Sequence, residues 1–129
     1  MFLPYSHDKG TQQPWEYLPA AAGTYKVGQL LDVTSGKLTA IDAAKKTTPA
    51  YVCMASKTVA ADENLPVQRV SKDDIYETHL SAEAAAATIG TKLEVSAGGL
   101  EADAAAAGTF EVTYIEGTAA GSVVRGRFN

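Results

Sequence analysis

The residues that could do acid, base or metal chemistry are few and scattered. The densest group is Asp73, Asp74 and Glu77, with His79 close behind. Paired carboxylates can bind a divalent cation or transfer protons. Here Lys72 precedes them and their spacing matches no calcium-binding loop. A solvated turn is therefore the simpler interpretation, and a weak cation site or a catalytic cluster of the four residues are the alternatives.

The remaining reactive side chains also give no catalytic pattern. Neither His7 nor His79 has a second histidine or a cysteine at metal-ligand spacing. Cys53 lies between two apolar residues and is predicted to behave as a small buried hydrophobe, with no activating base nearby. Phosphate-binding loops, dinucleotide-binding motifs and nucleophile elbows are absent from the sequence. We therefore expect no catalytic residue, no metal, no cofactor and no enzymatic activity.

Aromatic side chains near the start of the chain favour binding to another macromolecule. Residues 1–19 hold three prolines and four of the ten aromatic residues, without a helical or alternating period. Proline restricts the backbone, so this segment is predicted to be an extended arm. Aromatic residues are favoured at interfaces because each buries a large rigid area. The arm either folds back over the chain's own core or docks on a neighbour, and we expect the body to fold without it.

Two basic residues near the end of the chain are a second candidate contact. Arg125 and Arg127 alternate along a predicted strand and therefore share one face of it. They could bind a carboxylate-bearing partner, or they could be the exposed face of an edge strand whose charge limits aggregation. The candidate partner-contact residues are Phe2, Tyr5, Trp15, Tyr17, Arg125 and Arg127.

The elements that must position these residues are mostly strands. Residues 20–129 contain short runs of strand formers separated by glycine turns, which predicts one mainly β domain, a small barrel or a sandwich. One short helix is expected over 81–88, because Ser81 is a suitable N-cap and a run of alanines follows. A second alanine run, 104–107, is either a helical turn or a loop.

Two segments of the chain resemble each other. Residues 28–40 and 90–102 agree at six positions with a constant offset of 62 residues. The matching pairs are Gly28 and Gly90, Leu31 and Leu93, Val33 and Val95, Gly36 and Gly98, Leu38 and Leu100, and Ala40 and Ala102. Both segments are predicted to be hairpins with a glycine turn. They indicate either a pseudo-symmetric domain built from two related halves or two unrelated hairpins with the same local chemistry.

Composition excludes several classes of protein. The chain has 129 residues and a net charge of −4, with no cluster of Lys and Arg suited to nucleic acid. No run approaches the roughly 20 apolar residues of a membrane helix, and the first residues lack the features of a secretory signal. Alanine supplies 23 of the apolar residues, so the core is predicted to be thin. Small domains with thin cores commonly gain stability by oligomerising.

The order of several short runs resembles small head proteins of tailed bacteriophages and prophages, described as head decoration or head-fibre proteins. The similarity covers roughly residues 20–128, whereas 1–19 match no family motif. The runs that carry it are 22–31, 35–38, 49–53, 73–78, 89–93, 98–100 and 124–128. The resemblance implies a β-rich, non-enzymatic virion protein that is made in the bacterial cytoplasm and decorates or stabilises the capsid exterior. Its implied partners are the major capsid protein and further copies of itself, most often as a trimer.

A different function class stays open beside this resemblance. The domain could be a small ligand- or carbohydrate-binding β-module of a fibre or surface assembly. Trp15, Tyr76 and Tyr114 would then offer stacking faces. At least two of these three rings would have to lie in one pocket.

Overall fold

The computed structural model describes residues 1–7 and 13–129 and contains strands but no helix within them. In chain order the strands are β1 (Leu3–His7), β2 (Trp15–Pro19), β3 (Gly23–Tyr25), β4 (Leu30–Thr34), β5 (Lys37–Ala40), β6 (Tyr51–Cys53), β7 (Lys57–Val59), β8 (Asn64–Arg69), β9 (Asp74–His79), β10 (Lys92–Val95), β11 (Ala102–Asp103), β12 (Phe110–Ile115) and β13 (Val123–Phe128). The prediction of a mainly β fold is confirmed, and the fold contains a curled, half-barrel sheet.

The strands form one six-stranded, one five-stranded and one two-stranded sheet, and all their pairings are antiparallel. The six-stranded sheet has the order β1-β9-β13-β12-β10-β11, and the five-stranded sheet has the order β2-β8-β6-β4-β5. Strands β3 and β7 pair only with each other. The two large sheets therefore hold most of the strand residues.

Five strands of each large sheet follow the same order. We call residues 15–69 the first half and residues 74–128 the second half. Numbered along the chain, the five strands of each half are arranged 1-5-4-2-3, as β2-β8-β6-β4-β5 and as β9-β13-β12-β10-β11. In each half the residue after the first strand forms a parallel bridge to the third strand, Ala20 to Leu38 and Leu80 to Ala102. These bridges join the two ends of each five-strand set.

Backbone hydrogen bonds repeat in the same way. Gly28 N–H donates to Cys53 O at 2.8 Å, and Gly90 N–H donates to Val112 O at 2.8 Å. Both glycines have positive φ, +78° and +92°. Cys53 N–H and Val112 N–H in turn donate to Gln29 and Thr91 at 2.8 and 2.9 Å. The similarity of the halves thus extends beyond the hairpins to the strands that pair with them.

The two hairpins differ in their turns. Thr34 pairs with Lys37 in the first, so a two-residue turn joins β4 and β5. In the second, Ser96 N–H donates to Glu101 O at 2.9 Å, which leaves four residues in the turn. Val33 consequently pairs with Leu38, whereas Val95 pairs with Ala102. The second turn is two residues longer than the first. The sequence therefore aligns Leu38 with Leu100 and Ala40 with Ala102, but these residues do not occupy equivalent positions in the two hairpins.

Two hydrophobic clusters lie on the two faces of the five-stranded sheet. Leu30 and Val52 belong to the larger cluster, which the six-stranded sheet covers, while Leu31 and Cys53 belong to the smaller one. Tyr25 and Val59, from β3 and β7, complete the smaller cluster. The larger cluster is aromatic at its centre, where the Phe110 and Phe128 rings lie 5.1 Å apart. Because strand side chains alternate between faces, this sheet buries both faces.

The expected helix at 81–88 is wrong. Residues 81–90 form turns and irregular backbone, and Ala84 N–H donates to Thr118 O at 2.8 Å. Ala84 and Ala87 are buried in the larger cluster. A two-turn helix is marginal without tertiary support, and a backbone partner outside the segment competes with it. The second alanine run is a loop, in which Ala105 N–H donates to Asp103 Oδ1 at 2.9 Å.

The described part of the arm packs on its own chain. Strand β1 pairs with β9 at one edge of the six-stranded sheet, and β2 pairs with β8 at one edge of the five-stranded sheet. Phe2 is fully buried in the larger cluster, and its N–H donates to Gly28 O at 2.7 Å. The expectation that the body folds without residues 1–19 stays untested, and this packing argues against it, because their removal would take a core residue and two strands. Residues 8–12 of the predicted arm lie outside the described residues.

Candidate partner-contact site

A row of side chains crosses the outer face of the six-stranded sheet. Leu3 pairs with Glu77, Glu77 with Arg125, and Arg125 with Tyr114, so four strands contribute one residue each. Neighbouring residues such as Tyr76 point to the opposite face and lie in the core. The strict alternation of β9 and β13 places the row on the solvent side.

Arg125 is held between two tyrosine rings. Its guanidinium carbon lies 3.9 Å from the Tyr5 ring centroid and 4.7 Å from the Tyr114 ring centroid. Its Nε donates to Glu77 Oε2 at 2.7 Å, and this hydrogen bond raises the pKa of Arg125 above its usual value. We call Tyr5, Glu77, Tyr114 and Arg125 the Arg125 stack. It presents two half-exposed rings around a cation whose charge is already paired.

Two β-bulges aim the tyrosines at Arg125. The register of β1 against β9 shifts between Pro4 and Ser6, and that of β12 against β13 shifts between Val112 and Tyr114. A bulge adds a residue to one strand and re-aims its side chains. Tyr5 is the extra residue of the first bulge, and Tyr114 directly follows Thr113, the extra residue of the second. The stack therefore depends on local backbone geometry as well as on strand order.

The two predicted arginines share one face, as expected, but not at a sheet edge. Arg127 lies two residues after Arg125 and pairs with Glu111, which in turn pairs with Lys92. Strand β13 is central, between β9 and β12. The interpretation of these arginines as the face of an edge strand is therefore wrong, because the strand has neighbours on both sides.

The aromatic residues of the predicted arm separate into three places. Tyr5 joins the Arg125 stack, whereas Phe2 has no exposed surface and therefore cannot offer its side chain to a partner. Trp15 and Tyr17 lie on β2, at the edge of the other large sheet, and are 49% and 63% exposed. The six predicted contact residues thus form no single surface, and the corrected set omits Phe2.

The proposed catalytic cluster does not converge. Asp74 faces the core, where its Oδ1 lies 2.8 Å from His7 Nδ1. Glu77 points to the opposite face of β9 and pairs with Arg125, and His79 is exposed at the end of the strand. Among residues 1–7 and 13–129, no group of three or more His, Cys, Asp or Glu side chains could hold a metal ion.

Two buried reactive groups are explained by packing. Cys53 is fully buried, as predicted, and burial raises the pKa of its thiol, which lies 3.0 Å from Ala55 O. Burial also raises the pKa of Tyr76 to about 12, and its hydroxyl accepts a hydrogen bond from Ser71 N–H at 3.2 Å. Both groups are therefore neutral at ordinary pH and inaccessible to a ligand.

The three proposed stacking residues do not share a pocket. Tyr76 is in the core, Tyr114 is on the outer face of the six-stranded sheet and Trp15 is on the edge of the five-stranded sheet. Two open grooves, of about 620 and 440 Å³, occur on the described surface, and none of the three residues lines them. These three rings therefore do not form the shared pocket that the carbohydrate-binding alternative expects of them.

Sequence reasoning named every member of the Arg125 stack but did not group them. Tyr5 and Arg125 were predicted contacts, Tyr114 was a possible ligand-stacking residue and Glu77 was part of an acidic cluster. Only the strand pairing brings them together. The alternation of β9 and β13 was a usable signal for the shared face, whereas nothing in the sequence marks the bulges.

Comparisons with known proteins identify no family for this chain, so the fold and the site are interpreted from the structure alone. The chain matches no protein-family model, and neither the curated proteins nor the solved structures contain a significant match. No helix in the described part of the chain is long and apolar enough to cross a membrane.

Proposed function

We propose that this protein is a non-enzymatic structural protein of a bacteriophage or prophage virion, which decorates or stabilises the capsid exterior. The observation that carries the proposal is the Arg125 stack, a solvent-facing Tyr–Arg–Tyr arrangement on a central part of a sheet. The resemblance of residues 20–128 to phage head proteins gives the capsid as the partner. The same resemblance implies synthesis in the bacterial cytoplasm and self-association, and the trimer stays a prediction.

The chemistry of the stack suits a protein surface. Tyrosine and arginine are, with tryptophan, the residue types enriched among those that dominate binding energy at protein interfaces. Glu77 and the two rings already fix the guanidinium, so little side-chain entropy is lost when a partner covers it. The paired charge also means that the stack gives no strong attraction for a polyanion. Rigid rings with phenolic hydroxyls at their tips favour a partially polar protein partner.

Capsid binding tests the proposal. The 129-residue chain would be mixed with purified heads of the phage or prophage that carries its gene, and bound protein would be measured by co-sedimentation. Arg125→Ala should weaken binding about tenfold or more, because it removes the residue that orders both rings. Arg69→Ala is the matched control, since Arg69 also lies over a tyrosine ring, but on the other large sheet.

Three outcomes separate the possibilities. Binding that Arg125→Ala weakens and Arg69→Ala does not would support the proposal and the site. Binding that neither substitution changes would support the capsid partner and exclude the site. A 129-residue chain without any affinity for heads would overturn the proposed function.

A further inference from the structure

The Arg125 stack has hydrogen-bond donors that the chain does not use. An arginine side chain carries its N–H donors in one plane, one on Nε and the others on the two Nη atoms. Nε donates to Glu77 Oε2 at 2.7 Å, and within residues 1–7 and 13–129 no hydrogen bond or ion pair reaches either Nη atom of Arg125. The Nη donors are therefore available to a partner.

A partner can reach these donors only along the edge of the guanidinium. Strand β12 lies on one side of β13, and β1 lies on the other side beyond β9, so the Tyr114 and Tyr5 rings approach Arg125 from opposite sides. The rings therefore cover the two faces of the guanidinium plane, and Glu77 occupies its Nε end. The Arg125 side chain is still 28% exposed. This arrangement leaves the Nη edge as the route for a partner.

An edge with two parallel N–H groups selects its ligand by shape. A carboxylate accepts both groups with two oxygens in one plane, and such bidentate pairs are among the strongest hydrogen bonds in proteins. A backbone carbonyl has only one oxygen to share between the two nitrogens. Phosphate has a suitable pair of oxygens, but it would bring up to two negative charges beside the Glu77 carboxylate. A singly charged carboxylate is therefore the ligand class that fits best.

The charges around the stack also favour an acidic partner. The next row on the same face consists of Arg127, Glu111 and Lys92. Together with Arg125 and Glu77, these rows hold three cations and two carboxylates. This excess of positive charge occurs in a chain whose net charge is −4. A carboxylate on the partner would therefore complement the outer face of the six-stranded sheet.

We infer that the Arg125 stack binds the carboxylate of an aspartate or glutamate side chain of the capsid protein. The two carboxylate oxygens accept from Nη1 and Nη2 of Arg125, and the methylene groups of the ligand lie against the exposed parts of the Tyr5 and Tyr114 rings. The identity of the partner rests on the function proposed above, whereas the ligand class rests on the geometry of the stack.

Lysine at position 125 tests whether the planar edge is needed. Arg125→Lys keeps the positive charge but replaces the fork of N–H groups by one ammonium. It should weaken co-sedimentation with purified heads about tenfold, nearly as much as Arg125→Ala does. Arg69→Lys, on the other large sheet, is the matched control and should leave binding unchanged. Full binding by Arg125→Lys would overturn the inference, because a cation alone would then be sufficient.

Glutamine at position 77 tests the charge of the ligand. Glu77→Gln keeps an oxygen that accepts from Nε of Arg125 but removes a negative charge beside the incoming carboxylate. Head binding should therefore become about two- to fivefold tighter at low salt, and the gain should disappear at high salt. Weaker binding by this variant would show that the partner does not present an anion here, and the inference would be wrong.

Small anions test the ligand class without heads. The NMR signal of Arg125 Nε–H would be followed in the isotope-labelled 129-residue chain during titration with sodium acetate, sodium phosphate or sodium chloride at equal ionic strength. Arg125→Lys assigns the signal by removing it. Acetate should shift this signal more than chloride does, and more than it shifts the Arg69 signal. Equal shifts with acetate and chloride, or a larger shift with phosphate, would exclude a carboxylate site.

The carboxylate site and the capsid role can fail separately. A chain that does not bind heads but responds to acetate as expected would contradict the proposed function and keep the carboxylate site. A chain that binds heads without any effect of the substitutions at 125 and 77 would keep the function and contradict the site. A lower solution mass of Arg125→Lys in light scattering would instead place the carboxylate on a second copy of the chain and overturn the capsid as its source.

Discussion

The two halves of this chain use one strand order to make two different surfaces. In the first half the sheet is buried on both faces, because β3 and β7 cover the side that faces away from the second half. In the second half the corresponding side is open and carries the Arg125 stack. The difference comes from segments outside the shared five strands. The shared strand order thus forms the core, while the segments outside it decide which face of each sheet is left exposed.

The segments outside the shared five strands also explain why equivalent strands of the two halves have different burial patterns. Every residue of β6 (Tyr51–Cys53) is buried, whereas its counterpart β12 (Phe110–Ile115) alternates between buried and partly exposed positions over residues 110–113. A strand covered on both sides needs apolar residues throughout, and one covered on a single side needs them at every second position. Sequence patterns of the two halves diverge for this reason even though their pairing is the same.

The largest effect is expected where the N-terminal segment completes the second half. Phe2 is fully buried, and its ring lies 5.4 Å from the Phe110 ring in an edge-to-face arrangement. Phe2→Ala should lower the free energy of unfolding by about 3–5 kcal/mol. Leu3→Ala, at the next residue and 44% exposed, should cost less than about 1 kcal/mol. Chemical denaturation of both variants checks this, and equal costs would show that the segment is not part of the core.

The equivalent glycines Gly28 and Gly90 give a matched comparison of the halves. Both have positive φ, but a Cβ on Gly28 would lie 2.8 Å from Met1 Cβ and 3.1 Å from Phe2 O, whereas a Cβ on Gly90 meets nothing within 4 Å. Gly90→Ala should cost about 1–2 kcal/mol from the left-handed backbone alone. Gly28→Ala should cost about 1 kcal/mol more, because residues 1 and 2 must move.

Combination with Phe2→Ala identifies the cause of the Gly28 effect. If the Gly28 substitution acts by displacing Phe2, the two costs should be less than additive, whereas Gly90→Ala and Phe2→Ala should add. Additive behaviour in both pairs would contradict a link between Gly28 and the N-terminal segment. Denaturant unfolding of the single and double variants provides all the measurements.

The features that depend on residues close together in the sequence were predicted correctly. The β class, the hairpin at Ser35–Gly36 and the buried state of Cys53 follow from alternation, turn residues and neighbouring apolar residues. The helix over 81–88 failed because alanine propensity is a weak preference that a tertiary partner overrides, here the bond from Ala84 to Thr118. The similarity of residues 28–40 and 90–102 was visible, but the longer second turn was not, because a constant offset conceals an insertion that follows the glycine.

The candidate site was predictable only in part. Alternation places Arg125 and Arg127 on one face, and the aromatic content of residues 1–19 pointed to Tyr5. The stack itself joins strands that are distant in the chain, and two bulges set its geometry. Pairing of distant strands is fixed by the packing of the whole domain, which no local pattern encodes.

Alkaline pH should separate the halves through their buried tyrosines. Burial raises the pKa of Tyr76 in the second half to about 12, and it also raises the pKa of Tyr25 in the first half. Between pH 10 and about 12 the unfolded chain loses the Tyr76 proton while the folded chain keeps it. Stability is therefore full below pH 10 and falls as pH rises, by about 2 kcal/mol at pH 12 from this group.

Substitution by phenylalanine isolates that contribution. Tyr76→Phe should cost about 1 kcal/mol at neutral pH, because Ser71 N–H loses its acceptor, but should make stability less dependent on pH between 10 and 12. Denaturant unfolding of both proteins across this range is the measurement. An unchanged slope in the variant would mean that Tyr76 does not carry the effect, and a similar change in Tyr25→Phe would place part of it in the first half.

The smallest expected effect compares one arginine from each half. Arg125 lies between two rings and bonds Glu77 at 2.7 Å, whereas Arg69 lies over the Tyr51 ring at 5.1 Å and its Nη2 is 3.6 Å from Glu16 Oε1. Because exposed ion pairs contribute little, Arg69→Ala should lower stability only slightly, and Arg125→Ala should lower it more, because Arg125 also loses its contacts with two rings. Unfolding curves at low and high salt distinguish the contribution of the ion pairs from that of the ring contacts. Added salt weakens the ion pairs far more than it weakens the packing of the rings. Equal losses of stability for the two substitutions would mean that the Arg125 stack is no more ordered than an ordinary surface pair. That result would contradict the view of the stack as a preorganised contact.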